Sequence, residues 1–451
     1  MNHVPNERLD VYVVGTNCYG ELGLGDLTKK AEMKRPVLNS KLDAETTGIV
    51  HLAVGGVHSA ALTHENQILT WGVNDEGALG RDTKEKEVPS DEGNESGDEI
   101  TLNLSEATPT PVDASHFPEN TIFCQLAASD SATFTLTTDG MVYGWGTFRG
   151  SNGGIGFSPK SKKEQHTPIL IPVQDVVNIV AGAQHVLALT SSGTVFSWGC
   201  NEQNQLGRRR ASRHRKSHDL LPEIVALPSG IRSIGVGLYH SFAIHKSGTV
   251  YAWGSNNFGQ TAVTIGTGLN DSNVAYPTKV PILKTLGVIV SIFGGKDHSM
   301  ALTETGKCLV WGRIENKALG VELKDIPSSD IIEDKQSRPR ILKKPHFLTG
   351  IGDDNSPIDF ATAGSDHSFV FTESGEAYSW GFNSQSQAGQ LGIEEIERPM
   401  LVQSKHLEGK RLVAAAAGGQ FSILLGVHEG LPRNRGRRRQ RRLAQVHLDM
   451  P

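Results

Sequence analysis

The chain has 451 residues, with 44 Lys or Arg against 49 Asp or Glu and a net charge of -5, which excludes a globally basic nucleic-acid coat. Its four cysteines (Cys18, Cys124, Cys200 and Cys308) form no C-x-x-C pair, which excludes a disulfide scaffold or a zinc ribbon. Fifty glycines, about 11% against the usual ~7%, call for many turns, and no apolar run suggests a signal peptide or a membrane span.

In chain order, residues 1–10 read as a short arm. Val11 to Gly25 (VYVVGTNCYGELGLG) reads as the second half of a repeat whose first half is missing, with Val14 where later units carry Trp. The first full unit has His58 in GGVHSAAL and, 13 residues later, Trp71-Gly72. After it, residues 81–106 hold nine acidic and three basic residues and no aromatic, so a solvated, disordered insertion is expected. The second unit breaks the pattern: Ala132 replaces the histidine, and Trp145-Gly146 leads into TFRGSNGGIGFS (147–158) where other units have N-x-x-x-Q-L-G. The third unit has His185 and Trp198, and ends in the basic loop 208–217. The next three pair His240 with Trp253, His298 with Trp311 and His367 with Trp380. Gly418 to Leu425 (GGQFSILL) is a first half, with Phe421 at the histidine position and no W-G after it, and residues 428–451 form an arginine-rich tail.

The unit is therefore G-x-x-H-S-x-A-L-T-x-x-G-x-V-y-x-W-G, and the six Trp lie 74, 53, 55, 58 and 69 residues apart. Self-similarity of this period, with alternating runs across tight Gly turns, predicts four short strands per unit and a propeller. Six internal units plus the composite of the two end halves give an all-β, seven-bladed β-propeller over residues 11–427. Pairing the end halves closes the ring and removes its open edges. The once-per-blade histidines are read as inter-blade or backbone contacts rather than metal ligands, which would have to converge within about 2.0–2.3 Å. The Trp are read as core. No G-x-S-x-G, Walker loop or H-E-x-x-H is present, so no covalent chemistry, cofactor or metal is expected. The G-x-G string in 150–156 does not lead from a strand into a helix, so it is not a dinucleotide site.

These repeats resemble the regulator of chromosome condensation family over about residues 10–427. The fold alone does not choose among that family's exchange factors, photoreceptors, ligase domains and scaffolds. The segment 147–158 is similar to the β-wedge of the family's guanine-nucleotide exchange factor for the small GTPase Ran. The resemblance implies a wedge made of Arg149, Gly150, Ser151, Asn152, Gly153, Gly154, Ile155, Gly156 and Phe157. Ile155 and Phe157 would be its packed tip or anchor, and Arg149 would tie its base or meet a partner carboxylate. The alternative is an ordinary inter-blade loop. Asp130, two residues before the broken histidine position, matches an aspartate that serves GTPase binding in the family. The residue before each histidine faces the same side (Val57, Gln184, Tyr239, Asp297, Asp366), and Gln184 and Asp297, with His298 beside it, are carried as further candidates. Gln184 and Asp297 depart from the family's usual aspartate and histidine, and Cys18 stands where an aspartate occurs.

Two basic segments remain. Arg208, Arg209, Arg210, Arg213, Arg215 and Lys216 lie in the loop after the third unit, where R-R-A-S offers Ser212 as a phosphorylation site. Arg433, Arg435, Arg437, Arg438, Arg439, Arg441 and Arg442 lie in the tail. Either suits nucleosomal phosphate or an import receptor. The resemblance thus implies a nuclear, chromatin-associated Ran exchange factor without membrane contact. The alternatives are a propeller scaffold and a chromatin adaptor.

Overall fold

The computed structural model describes residues 1–28, 30–84, 102–160, 163–208, 216–352 and 356–429. The fold is a ring of seven antiparallel blades. In the first blade, Ile49–Val54, His58–Thr63, Ile68–Gly72 and Thr110–Pro111 follow one another from the axis outward. The other five internal repeats do the same around Trp145, Trp198, Trp253, Trp311 and Trp380. The blade of Trp311 gains a fifth strand, Ile331–Glu333. The seventh blade is the composite: Leu412–Ala417 and Phe421–Val427 from the C-terminal half, Leu9–Thr16 and Glu32–Leu38 from the N-terminal half. Its register keeps the repeat, because Phe421 pairs with Gly15 as His58 pairs with Gly72, and Ser422 pairs with Val14 as Ser59 pairs with Trp71. Among the described residues no helix is long and apolar enough to cross a membrane.

The repeat residues form the seams between blades. Each of the seven hydrophobic clusters straddles two neighbouring blades, so a blade has no core of its own. The six Trp are fully buried. At five seams, counting Trp71 against the composite blade, the indole N–H donates to a loop carbonyl of the preceding blade: Trp71 to Glu21, Trp145 to Ala78, Trp253 to Gln205, Trp311 to Gln260 and Trp380 to Ala318, at 2.8–3.0 Å. The histidines bridge forward from Nε2 to a hydroxyl: His58 to Thr133, His185 to Ser241, His240 to Ser299, His298 to Ser368 and His367 to Ser422, at 2.7–2.9 Å. Ser241 and Ser299 spend their own proton on the same carbonyl that takes the indole, so the histidine there is the donor and carries its proton on Nε2. Burial lowers all five imidazoles from 6.5 to about 3 or 4, which keeps them neutral. The glycine three residues before each histidine makes room for the ring; at Gly55 a Cβ would lie 2.3 Å from His58 Cε1.

The chain's landmarks sort onto two faces. The histidine position starts the second strand and pairs with the glycine ending the third, so first-turn loops and post-Trp loops share one face. The strands at both chain ends leave from the other face. The N-terminal arm is docked there: Asn2 donates through Nδ2 to the carbonyls of Thr137 and Val176, and Arg8 contacts His64 and the carbonyl of Glu45. The acidic insertion is ordered at its ends. Thr83 is buried and bonded to Glu106, and Asn103 caps a short helix, Leu104–Ala107. Residues 85–101 lie outside the described residues.

Candidate functional site

Trp145-Gly146 carries the chain out of the second blade into a two-stranded hairpin that belongs to no blade. Phe148–Gly150 pairs with Gly153–Gly156, and Ser151 and Asn152 form the two-residue turn. Gly153 has φ +102, a conformation that favours glycine, and a Cβ on Gly153 or Gly154 would meet nothing within 4 Å. The Gly153-Gly154 side of the tip is thus bare backbone with nothing of the propeller against it. The root is aromatic: Phe148, Phe157 and Phe134 stack with centroids 5.9–6.0 Å apart, and Phe134 meets Trp198 edge-on. Phe157 is therefore the anchor and not part of the tip, and Ile155 packs partly buried against the same cluster.

The hairpin is held at three points. Gln184 Oε1 accepts the Arg149 N–H at 2.6 Å, while its Nε2 donates to Asp130 Oδ2 at 3.3 Å. On one flank, Arg149 pairs with Glu76 of the first blade at 2.7 Å. On the other, Glu202 of the third blade accepts from Ser151 N at 2.8 Å and from Ser151 Oγ at 3.2 Å. Gly150 lies flush on that carboxylate, since a Cβ there would be 2.8 Å from Glu202 Oε1. Burial pushes the Asp130 carboxyl up to about 6, against the opposing pull of Gln184 and Arg149. Beyond it, Tyr239 has its hydroxyl raised by burial first, and then by the charges of Asp130, Cys200 and Asp297. Asp297 faces Arg313 at 3.6 Å, and Arg313 also reaches Asp366 at 3.8 Å and Glu315 at 2.7 Å. Arg313 and Arg340 both lie over the Phe258 ring. The face is thus a fixed array of carboxylates and arginines around a projecting hairpin, suited to a protein surface rather than to a small molecule.

Three expectations need correction. His298 is 1% exposed and spends its Nε2 on Ser368, so it is a seam residue and reaches no partner. Gln184 is buried between Asp130 and the hairpin and acts through them. Arg208 is buried, not free for phosphate: it pairs with Glu223 at 2.7 Å and donates to the carbonyls of Leu221 and Asp219. Lys216 begins the short helix Lys216–Asp219. Arg209, Arg210, Arg213, Arg215 and all seven tail arginines lie outside the described residues. Glu76, Glu202 and Arg313 were not found by sequence reasoning, because the repeat marks none of them. Among the described residues no group of three or more His, Cys, Asp or Glu is placed to hold a metal ion.

The family profile described as the RCC1-like domain matches residues 10–424. The chain belongs to the RCC1-like family. Guanine nucleotide exchange factor SRM1 of Saccharomyces cerevisiae is 35% identical over 435 residues, covering 93% of this chain and 88% of the relative. The crystal structure of Prp20p from the same yeast, described together with its binding to Gsp1p and histones, superposes with a TM-score of 0.84 at 33% identity, covering 94% of this chain and 93% of that one. Yeast RCC1 (Prp20) bound to Kap60 gives a TM-score of 0.83 at 33% identity, covering 94% and 90%.

Proposed function

We propose that this protein is a guanine-nucleotide exchange factor for the small GTPase Ran. The observation that carries the reading is the hairpin 148–156, a bare glycine tip on an aromatic root, standing on the same face as Asp130 and Asp297. The kinship with an exchange factor and with a Gsp1p-binding propeller supports it. No bond is made or broken in such a reaction. A GTPase holds its nucleotide through backbone amides around the phosphates and through Mg²⁺. A rigid tip that fits the empty form of that cradle binds it better than the loaded form. By linkage it weakens the nucleotide by the same factor. Asp130 and Arg149 serve to dock a charged GTPase surface, Asp297, 8% exposed, acts through the Arg313 it faces, and the tip residues Ser151, Asn152, Gly153 and Gly154 enter the cradle.

The basic segments support a chromatin address. The chain ends leave the face opposite the hairpin. A tail of seven arginines starting there engages nucleosomal phosphate while leaving the hairpin free, and such contact is salt-sensitive. The N-terminal arm is docked on the propeller, so the C-terminal arginines take this role and that of import-receptor binding. The protein is then nuclear. The test is release of a fluorescent GDP from Ran, with an unrelated small GTPase as control. Fast, Ran-selective release at catalytic concentration is expected; no acceleration by folded protein refutes the reading. Deleting residues 431–451 is expected to remove nucleosome binding and leave exchange intact.

A further inference from the structure

We infer that Glu76 and Glu202 are positioning residues that clasp the hairpin from the two neighbouring blades and hold its tip ready before any GTPase arrives. The inference rests on the exchange reading above. An isolated two-stranded hairpin is marginally stable in water. This one has glycine at four of its nine positions, so its unclasped ensemble is broad. Its aromatic root fixes Phe148 and Phe157, yet nothing touches the tip glycines. Between root and tip the only side-chain bonds from other blades among the described residues come from Gln184 beneath, Glu76 on one flank and Glu202 on the other.

The two carboxylates act differently. Glu76 takes a guanidinium N–H of Arg149, the residue that follows the root phenyl. Glu202 takes the backbone N–H of Ser151, the first turn residue, and its hydroxyl as well. The first sets the hairpin's lean toward the first blade; the second pins the turn toward the third. Both lie in loops after a Trp-Gly, the same structural position from which the hairpin itself springs. Three consecutive post-Trp loops thus form one unit with the hairpin in the middle. Holding the tip in its working geometry saves the ordering cost at the moment the nucleotide is displaced.

The experiment compares wild type, E76A/E202A and E76Q/E202Q in Ran-GDP release, with kcat and KM separated. The paired glutamines keep the acceptors and remove the charges. The double alanine is expected to lower kcat by roughly tenfold while KM stays within about twofold, since Asp130 and the Arg149 guanidinium are both left to dock the GTPase. The double glutamine is expected to restore most of kcat. Exposed pairs of this kind add little stability, so Tm should move by no more than about 2 °C. Amide hydrogen exchange over residues 149–154 of the free protein, expected to quicken in the double alanine alone, reads the clasp without any GTPase. Unchanged kcat, a loss confined to KM, failure of glutamine to rescue, or unchanged hydrogen exchange overturns the inference. Wild-type protein that releases no GDP refutes the exchange reading itself, and the hydrogen-exchange arm still decides whether the carboxylates hold the hairpin.

Discussion

Two seams of the propeller show what the hairpin displaces. Between the blades of Trp253 and Trp311, His240 bonds Ser299, and Ser299 and the Trp311 indole both donate to the Gln260 carbonyl. Between the blades of Trp145 and Trp198, every partner in that stitch is missing. Ala132 replaces the histidine, Val186 replaces the hydroxyl, and the Trp198 indole N–H is buried without an acceptor. Even the glycine that makes room for the histidine ring is replaced, by Ser129. The loop that should supply the carbonyl has become the hairpin, and three stacked phenyl rings fill the seam instead. The repeat is abandoned where its loop is redirected, and apolar packing replaces polar stitching there.

Breaking the regular seam should have the largest effect on stability. His240→Ala removes a buried ring and leaves Ser299 without its donor, and should cost about 2–4 kcal/mol by denaturant unfolding. Ala132→His should gain nothing, because Val186 offers no hydroxyl and Ser129 occupies the ring's space. A gain from Ala132→His would break the comparison.

Acid should attack the regular seams and spare the aromatic one. The five seam histidines have folded values of about 3 or 4, below the 6.5 of the unfolded chain. Their stabilising contribution is whole above pH ~6.5. It falls as the unfolded state alone takes up protons, by up to about 1.4 kcal/mol per pH unit for each histidine until the folded value is reached. Asp130, Asp297 and Glu21, raised by burial, act in the opposite direction. Five histidines outweigh them, so Tm should drop between pH 6.5 and 5. A flat profile would contradict the buried, neutral histidines.

Exchange should carry its own pH signature. With Asp130 titrating at about 6, activity that needs its carboxylate should fall below pH 6, approaching tenfold per pH unit. Asp130→Asn should be slow and lack that limb. A full-rate Asp130→Asn protein would remove this residue from the site.

The smallest effect sharpens the contrast most finely. Trp253→Phe removes an indole N–H bonded to Gln205 and should cost about 1–3 kcal/mol. Trp198→Phe removes one with no acceptor, so its cost should be smaller by about 1 kcal/mol.

How far the sequence reached follows from the same contrast. The ring, its closure and the seam role of the histidines were legible because each is written once per blade, down to Phe421 and Val14 in the composite. Ala132 and the run 147–158 stood out as departures from that period. Glu76, Glu202 and Arg313 were invisible because they contact neighbours 51 to 73 residues away or across blades, and no period marks them. A run of arginines does not reveal that its first member, Arg208, turns inward to Glu223 and Asp219.

The most direct test of the central claim replaces Gly153-Gly154-Ile155 with a short turn and measures fluorescent GDP release from Ran beside wild type. A folded protein melting within about 4 °C of wild type is expected, the small shift coming from the partly buried Ile155, with release at the uncatalysed rate. A folded variant that still accelerates release like wild type would contradict it.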